Sequence, residues 1–390
     1  MRHICTYIAK LAINHCPHTG AYYVESFFSG ATMKVTLPIW TIAAPIIAWL
    51  LYLTPLQSLG SVYLGLLTLA LFGGVLAAVH HAEVIAHRVG EPYGTLVLAV
   101  AVTIIEVALI VSLMIAGGPE TTALARDTVF AAVMIILNGI VGMCLLVGGL
   151  RYKEQSFSLD GASASLTTLA AIAVLTLILP NYTTSAPGPV YTSSQLIFIA
   201  VVTLVLYGTF VLVQTVRHRD YFLPNHAIED EEIHAEPPTL STTSISAFLL
   251  LVCLAAVVLL AKALAPSIEL GVANMGAPKA VVGVIIAAVV LLPEAIAAFH
   301  AARANRLQTS LNLALGSALA SIGLTIPTVA VLSLSSGLTL TLGLDIKSSV
   351  LLMLSLFITM LSLKTGKTTV LQGVVLLVIF AVYLFTTVIP

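Results

Sequence analysis

From residue 37 onward the chain alternates long apolar runs with short polar or Gly/Pro breaks. A helix that crosses the hydrocarbon of a bilayer needs about 20 mainly apolar residues. Eleven segments meet that measure, at approximately 37–54, 61–82, 92–117, 127–150, 164–180, 194–216, 245–265, 278–302, 308–335, 347–363 and 369–389. The fifth and tenth are short and interrupted by small polar residues. The connection between the sixth and seventh is long and polar. The pattern predicts an all-α polytopic membrane protein of about 11 transmembrane helices.

Within that pattern the chain repeats itself. Setting the first span aside leaves five spans, the polar loop and five more. In each half the second span opens at a proline, Pro92 or Pro278, and reaches a glutamate, Glu106 or Glu294, after 14 or 16 residues. An odd number of spans per half gives the halves opposite topology, the inverted-repeat plan of many secondary transporters. The expected division is an N-terminal extension (1–36), a first span (37–55), one five-helix repeat (60–219), an acidic loop (220–243) and a second repeat (244–390). Residues 1–32 lack the continuous apolar core and cleavage site of a signal peptide, and read as a poorly ordered extension ahead of Met33.

The two glutamates are the most informative polar positions. Charged groups in mid-membrane segments are costly and usually functional. At about 1.5 Å of rise per residue each lies roughly 21 to 24 Å from its helix start, near the bilayer centre, where a two-fold axis brings them together. Pro293, just before Glu294, removes a backbone donor and frees the carbonyl four residues earlier. Carboxylates and carbonyls suit hard cations, and no Cys or His pair accompanies them to favour a softer metal. A cation or protons neutralise such a site; ionised and bare it is costly in a low dielectric, so cation and protons compete for it. The plainer alternative is that each glutamate satisfies a polar neighbour such as Asn138 or Lys262.

Composition and charge narrow the class further. The chain is 59% hydrophobic and only 8% charged, with a net charge of −1. A soluble domain carries about a quarter charged residues, and nothing here forms a basic surface for nucleic acid. The four cysteines fall in no close spacing, which points away from a disulfide framework and a thiolate metal site. Lys and Arg concentrate after even-numbered spans, among them Arg88, Arg151, Lys153, Arg217 and Arg303. By the positive-inside rule the N-terminus and those loops are cytoplasmic, and eleven spans place the C-terminus outside.

Several motifs together resemble a known family. They are His-Ala-Glu-Val-Ile-Ala-His-Arg-Val-Gly-Glu-Pro-Tyr-Gly (81–94 from Ala82's preceding His), the Glu106 segment, the Leu-Pro-Glu segment at 292–294 and Asn-Leu-Ala-Leu-Gly-Ser at 312–317. From about residue 37 to the C-terminus the chain is similar to the bacterial ChaA-type calcium/sodium to proton antiporters, in the cation/proton exchanger branch of the calcium:cation antiporter superfamily. The resemblance implies one leading helix plus two inverted five-helix repeats, with Glu106 and Glu294 as the cation and proton site. Many such exchangers carry Gly-Asn-Ala-x-Glu at both places; Thr103 and Leu291 stand here where the asparagines would fall. Supporting polar positions are then Thr103, Asn138, Ser317 and Ser321, although small polar residues also serve to pack membrane helices.

Two further groups are weaker candidates. His80, Glu83 and His87 share a helix face, with Glu91 just beyond, at the cytoplasmic end of the second span. They read as a pH-sensing mouth or as an ordinary solvated helix end. Glu229, Asp230, Glu231, Glu232 and Glu236 form an acidic loop that either gathers cations or simply links the halves.

The leading expectation is a secondary antiporter in the bacterial inner membrane, exporting Ca2+, with Na+ or K+ as further cargo, in exchange for H+. A Na+(K+)/H+ antiporter with little calcium transport is the alternative, and a cation channel is more distant because no filter-like run occurs. No bound cofactor, nucleophile-and-base pair or nucleotide-binding loop is expected, and the partners are inorganic cations, protons and the lipid bilayer.

Overall fold

A peptide group inside hydrocarbon must find its hydrogen bond within its own segment, so apolar runs of this length fold as helices. The computed structural model describes residues 37–54, 60–90, 93–223, 237–274, 276, 278 and 280–389. The N-terminal extension, Glu91 and the acidic loop residues 224–236 lie outside the described residues. The helices are α1 (Ile39–Leu53), α2 (Ser61–Val89), α3 (Tyr93–Gly117), α4 (Leu124–Tyr152), α5 (Leu159–Tyr182) and α6 (Ser193–Arg217). After the loop come α7 (Leu240–Asn274), α8 (Ala280–Arg303), α9 (Leu307–Ser336), α10 (Ile346–Leu363) and α11 (Val370–Val388). Among the described residues nine helices are long and apolar enough to cross a membrane; α1 and the Ala99–Ile115 stretch of α3 are shorter apolar helices.

Each predicted span corresponds to one of these helices, but several ends move outward. The helix α2 continues to Val89, seven residues past the expected end, and α5 starts at Leu159 rather than 164. A hydropathy ruler stops at the first polar residues, whereas the helix goes on until something ends it. For α2 that is Gly90, whose φ of 77° takes the chain out of the helix. For α10 the start is set by Asp345, whose side chain accepts from the Ser348 backbone N–H.

Burial sorts the helices into layers. In α4 and α9 the apolar window is 89% and 72% buried, against 22% in α11, so α4 and α9 form the centre. Contacts between the halves are reciprocal: α3 packs on α9 as α8 packs on α4, and α4 packs on α11 as α6 packs on α9. The connections follow the same rule. Gln155–Ser156, between α4 and α5, pairs antiparallel with Lys367–Thr368, between α10 and α11. Val190, between α5 and α6, bridges Thr341, between α9 and α10. Such an exchange of partners is what a two-fold axis in the membrane plane produces.

The core has two parts. One joins α4–α6 to α8–α11, and the other joins α1, α2 and α7. The helices with the glutamates lie on the seam: Ile110 and Met114 of α3 belong to the first part, Ile105, Leu109 and Leu113 to the second. Likewise Leu291 of α8 belongs to the first and Ile286 to the second.

Candidate cation site

Two mid-helix carboxyls meet at this seam. Glu106 is 2% exposed and Glu294 8%, and the two are near enough for the charge of one to act on the other. The Ser321 hydroxyl of α9 donates to Glu106 Oε1 at 2.7 Å, so a side chain of the second half directly holds the glutamate of the first. Both oxygens of Glu294 are buried without a hydrogen-bond partner among the described residues. In a low-dielectric interior an ionised carboxylate in that position needs a cation or a proton.

The other expected ligands behave differently from one another. Thr103, one turn before Glu106, is buried but turns its hydroxyl to the Ala99 carbonyl of its own helix at 2.8 Å. Leu291 occupies the matching position before Glu294 and is 2% exposed, so the site has an apolar wall there. Ser317 is buried one turn before Ser321 on α9. Asn138 is completely buried in a π-turn of α4, Ile135–Ile140, and its amide donates to Ser355 Oγ on α10 at 2.9 Å. No ion pair among the described residues joins either glutamate to Lys262, which is exposed. The reading in which Lys262 or Asn138 satisfies the glutamates therefore has no contact to support it.

At the end of α2, His80 is half-buried against Trp40, with ring centroids 5.8 Å apart, while Glu83 and His87 are exposed. Among the described residues no three His, Cys, Asp or Glu side chains converge to hold a metal. The structure gives a partner to His81, the first residue of the 81–94 motif. His81 is fully buried and its Nε2 donates to the Thr41 carbonyl at the start of α1, at 3.2 Å. A run of two histidines gives no hint which of them faces a neighbouring helix; only the placement of α1 decides it. Asn312 also proves structural, donating to the Phe222 carbonyl after α6 at 2.6 Å.

The model of one family, the sodium/calcium exchanger protein, matches residues 57–216 and 245–389, two blocks that coincide with α2–α6 and α7–α11. The chain belongs to that family. It is 52% identical over 329 residues to a putative ionic transporter, y4hA, of Sinorhizobium fredii, covering 84% of this chain and 87% of that protein. It is 36% identical over 323 residues to the sodium-potassium/proton antiporter ChaA of Escherichia coli, covering 82% and 87%. Among solved structures, native YfkE superposes with a TM-score of 0.67 at 17% identity, covering 90% of this chain and 99% of that one, which shows a shared fold. Within this family fold the chain is an integral membrane protein, and its glutamate helices occupy equivalent places in the two matching blocks.

Proposed function

We propose that this exchanger is a secondary cation/proton antiporter that carries its cargo at one site built by Glu106 and Glu294. A single observation carries the reading: two glutamates from equivalent helices of the two halves are buried, one held by Ser321 and the other with both oxygens unpartnered by any side chain among the described residues. Cation and protons neutralise the same pair of carboxyls, so binding one requires release of the other. That competition couples the two fluxes.

Alternating access is supported by the divided core. If α1, α2 and α7 move as one body against the remainder, the seam that holds α3 and α8 opens first to one side and then to the other. With the N-terminus cytoplasmic and the C-terminus outside, cytoplasmic cations leave as protons enter.

Calcium is the first expected cargo, since two carboxylates balance one divalent charge. A specific observation favours Na+ or K+ as the alternative. Among the described residues only Ser321 adds a direct hydroxyl contact to the carboxyls, whereas Ca2+ takes about six to eight oxygen ligands; the relative at 36% identity is named for sodium and potassium. Purified protein in liposomes with an imposed pH gradient tests both readings. Dissipation of the gradient on adding Ca2+ alone supports the first, dissipation by Na+ or K+ supports the second, and no response to any cation contradicts antiport.

A further inference from the structure

The connection from α5 to α6 and the connection from α9 to α10 lock together at one end of the bundle and leave a cleft beside them. The N–H groups of Leu342 and Gly343 donate to the Pro189 carbonyl at 3.2 and 3.0 Å, and that of Leu344 donates to the Leu177 carbonyl at 2.8 Å. The Asn181 amide adds a bond to the Leu344 carbonyl at 2.6 Å. Backbone tied at so many points is preformed for whatever enters beside it. The cleft holds about 1040 Å³, the size of a pocket for an organic molecule rather than for one water or ion.

Its walls change character with depth. On one side stands Ile178 of α5, and on the other Ile346, Val350 and Met353 of α10, which share a helix face. These three α10 side chains are exposed, so the cleft opens sideways toward lipid. At about 1.5 Å of rise per residue the apolar lining runs roughly 10 Å along α10 from its start.

The rim carries one cation and one anion, Arg126 and Asp345. Arg126 is held rigidly: Nε and Nη2 both reach Asp127 Oδ1 at 2.8 Å, and Nη1 donates to the Gly343 carbonyl at 3.1 Å. A guanidinium has five N–H donors, so an N–H on each terminal nitrogen remains for an acceptor such as phosphate. Asp345 caps α10 through the Ser348 N–H, and its exposed carboxylate keeps lone pairs for a further donor. Gly343 and Asp345 are two positions apart, so the guanidinium and the carboxylate flank the same short stretch of chain.

We propose that this cleft is a phospholipid site selective for phosphatidylethanolamine, with the phosphate on Arg126, the ammonium on Asp345 and an acyl chain along Ile346, Val350 and Met353. The charges favour that headgroup over the alternatives. Asp127 already balances Arg126, so Asp345 leaves this corner net negative, which opposes an anionic phosphatidylglycerol. A choline headgroup carries the positive charge but no N–H to give to a carboxylate, whereas a primary ammonium has three. The site lies apart from Glu106 and Glu294 and does not depend on the cargo.

The test uses the purified full chain in detergent, incubated with phosphatidylethanolamine, phosphatidylcholine or phosphatidylglycerol of identical acyl chains, with bound lipid counted by native mass spectrometry. Wild type should bind the ethanolamine lipid about tenfold more tightly than the choline lipid, the worth of one charge-assisted hydrogen bond, and the glycerol lipid more weakly still than the ethanolamine one. Asp345→Asn keeps an N-cap for α10 but removes the charge, and should cut the preference over choline to about threefold or less. Val350→Trp, at an exposed position, should fill the cleft and abolish selective retention while gel filtration shows folded protein. Equal retention of all three lipids by wild type, an unchanged preference in Asp345→Asn, or full retention in Val350→Trp overturns the proposal. So does a wild-type oligomer that retains no lipid and that Val350→Trp dissociates, since a second copy of the chain then fills the cleft.

Discussion

Glu106 and Glu294 are chemically identical but differently held. Ser321 donates to Glu106, while among the described residues no side chain donates to Glu294. A hydrogen bond to a charged group contributes about 1.5–3 kcal/mol, so Ser321→Ala should raise the cation KM at least about tenfold, and Ser321→Thr should recover most of it. Titration of exchange rate against cation concentration checks this, and an alanine variant with unchanged KM would remove Ser321 from the site. The glutamates themselves were legible in the sequence because charge is conspicuous in an apolar run. The pairing of Ser321 with Glu106 was not, because they are 215 positions apart and small polar residues recur throughout α9. Thr103, one turn from the carboxylate, donates its hydroxyl hydrogen to the Ala99 carbonyl of its own helix, a bond that hydropathy does not reveal.

At the level of elements, the spans were readable because backbone in hydrocarbon has few alternatives, and their ends were less so because caps such as Gly90 and Asp345 are short-range features. The π-turn in α4 left no mark on hydropathy at all. Close packing of α4 on α11 likewise depends on details that composition hides. A methyl on Gly373 would press into α4 backbone, 2.8 Å from the Gly142 carbonyl oxygen and against Leu146. Backbone cannot yield as a side-chain tip does, so Gly373→Ala should destabilise the fold by about 1–3 kcal/mol. Thermal unfolding in detergent should show a clearly lower Tm, and an unchanged Tm would mean that α4 and α11 are not packed so closely.

For the whole molecule, the repeat in the sequence becomes reciprocal packing, and the two family-matching blocks coincide with the two sets of helices. Sequence reading reached this plan from helix count and matched glutamates, but the division of the core between α1, α2, α7 and the remainder required the packing itself. On the proposed reading, in which cargo and protons share one pair of carboxyls, the cation KM should rise as pH falls on the side where the cation binds, by about tenfold per pH unit where one proton must leave first. A KM independent of pH would separate the proton path from the cation site. The most direct measurement of the shared site is proton movement in liposomes that hold wild type, Glu106→Gln or Glu294→Gln, driven by the cation that wild type transports. Loss of cation-driven proton flux in both variants, with folded protein by gel filtration, is the predicted result; flux retained in both would contradict a carrier site built on these two glutamates.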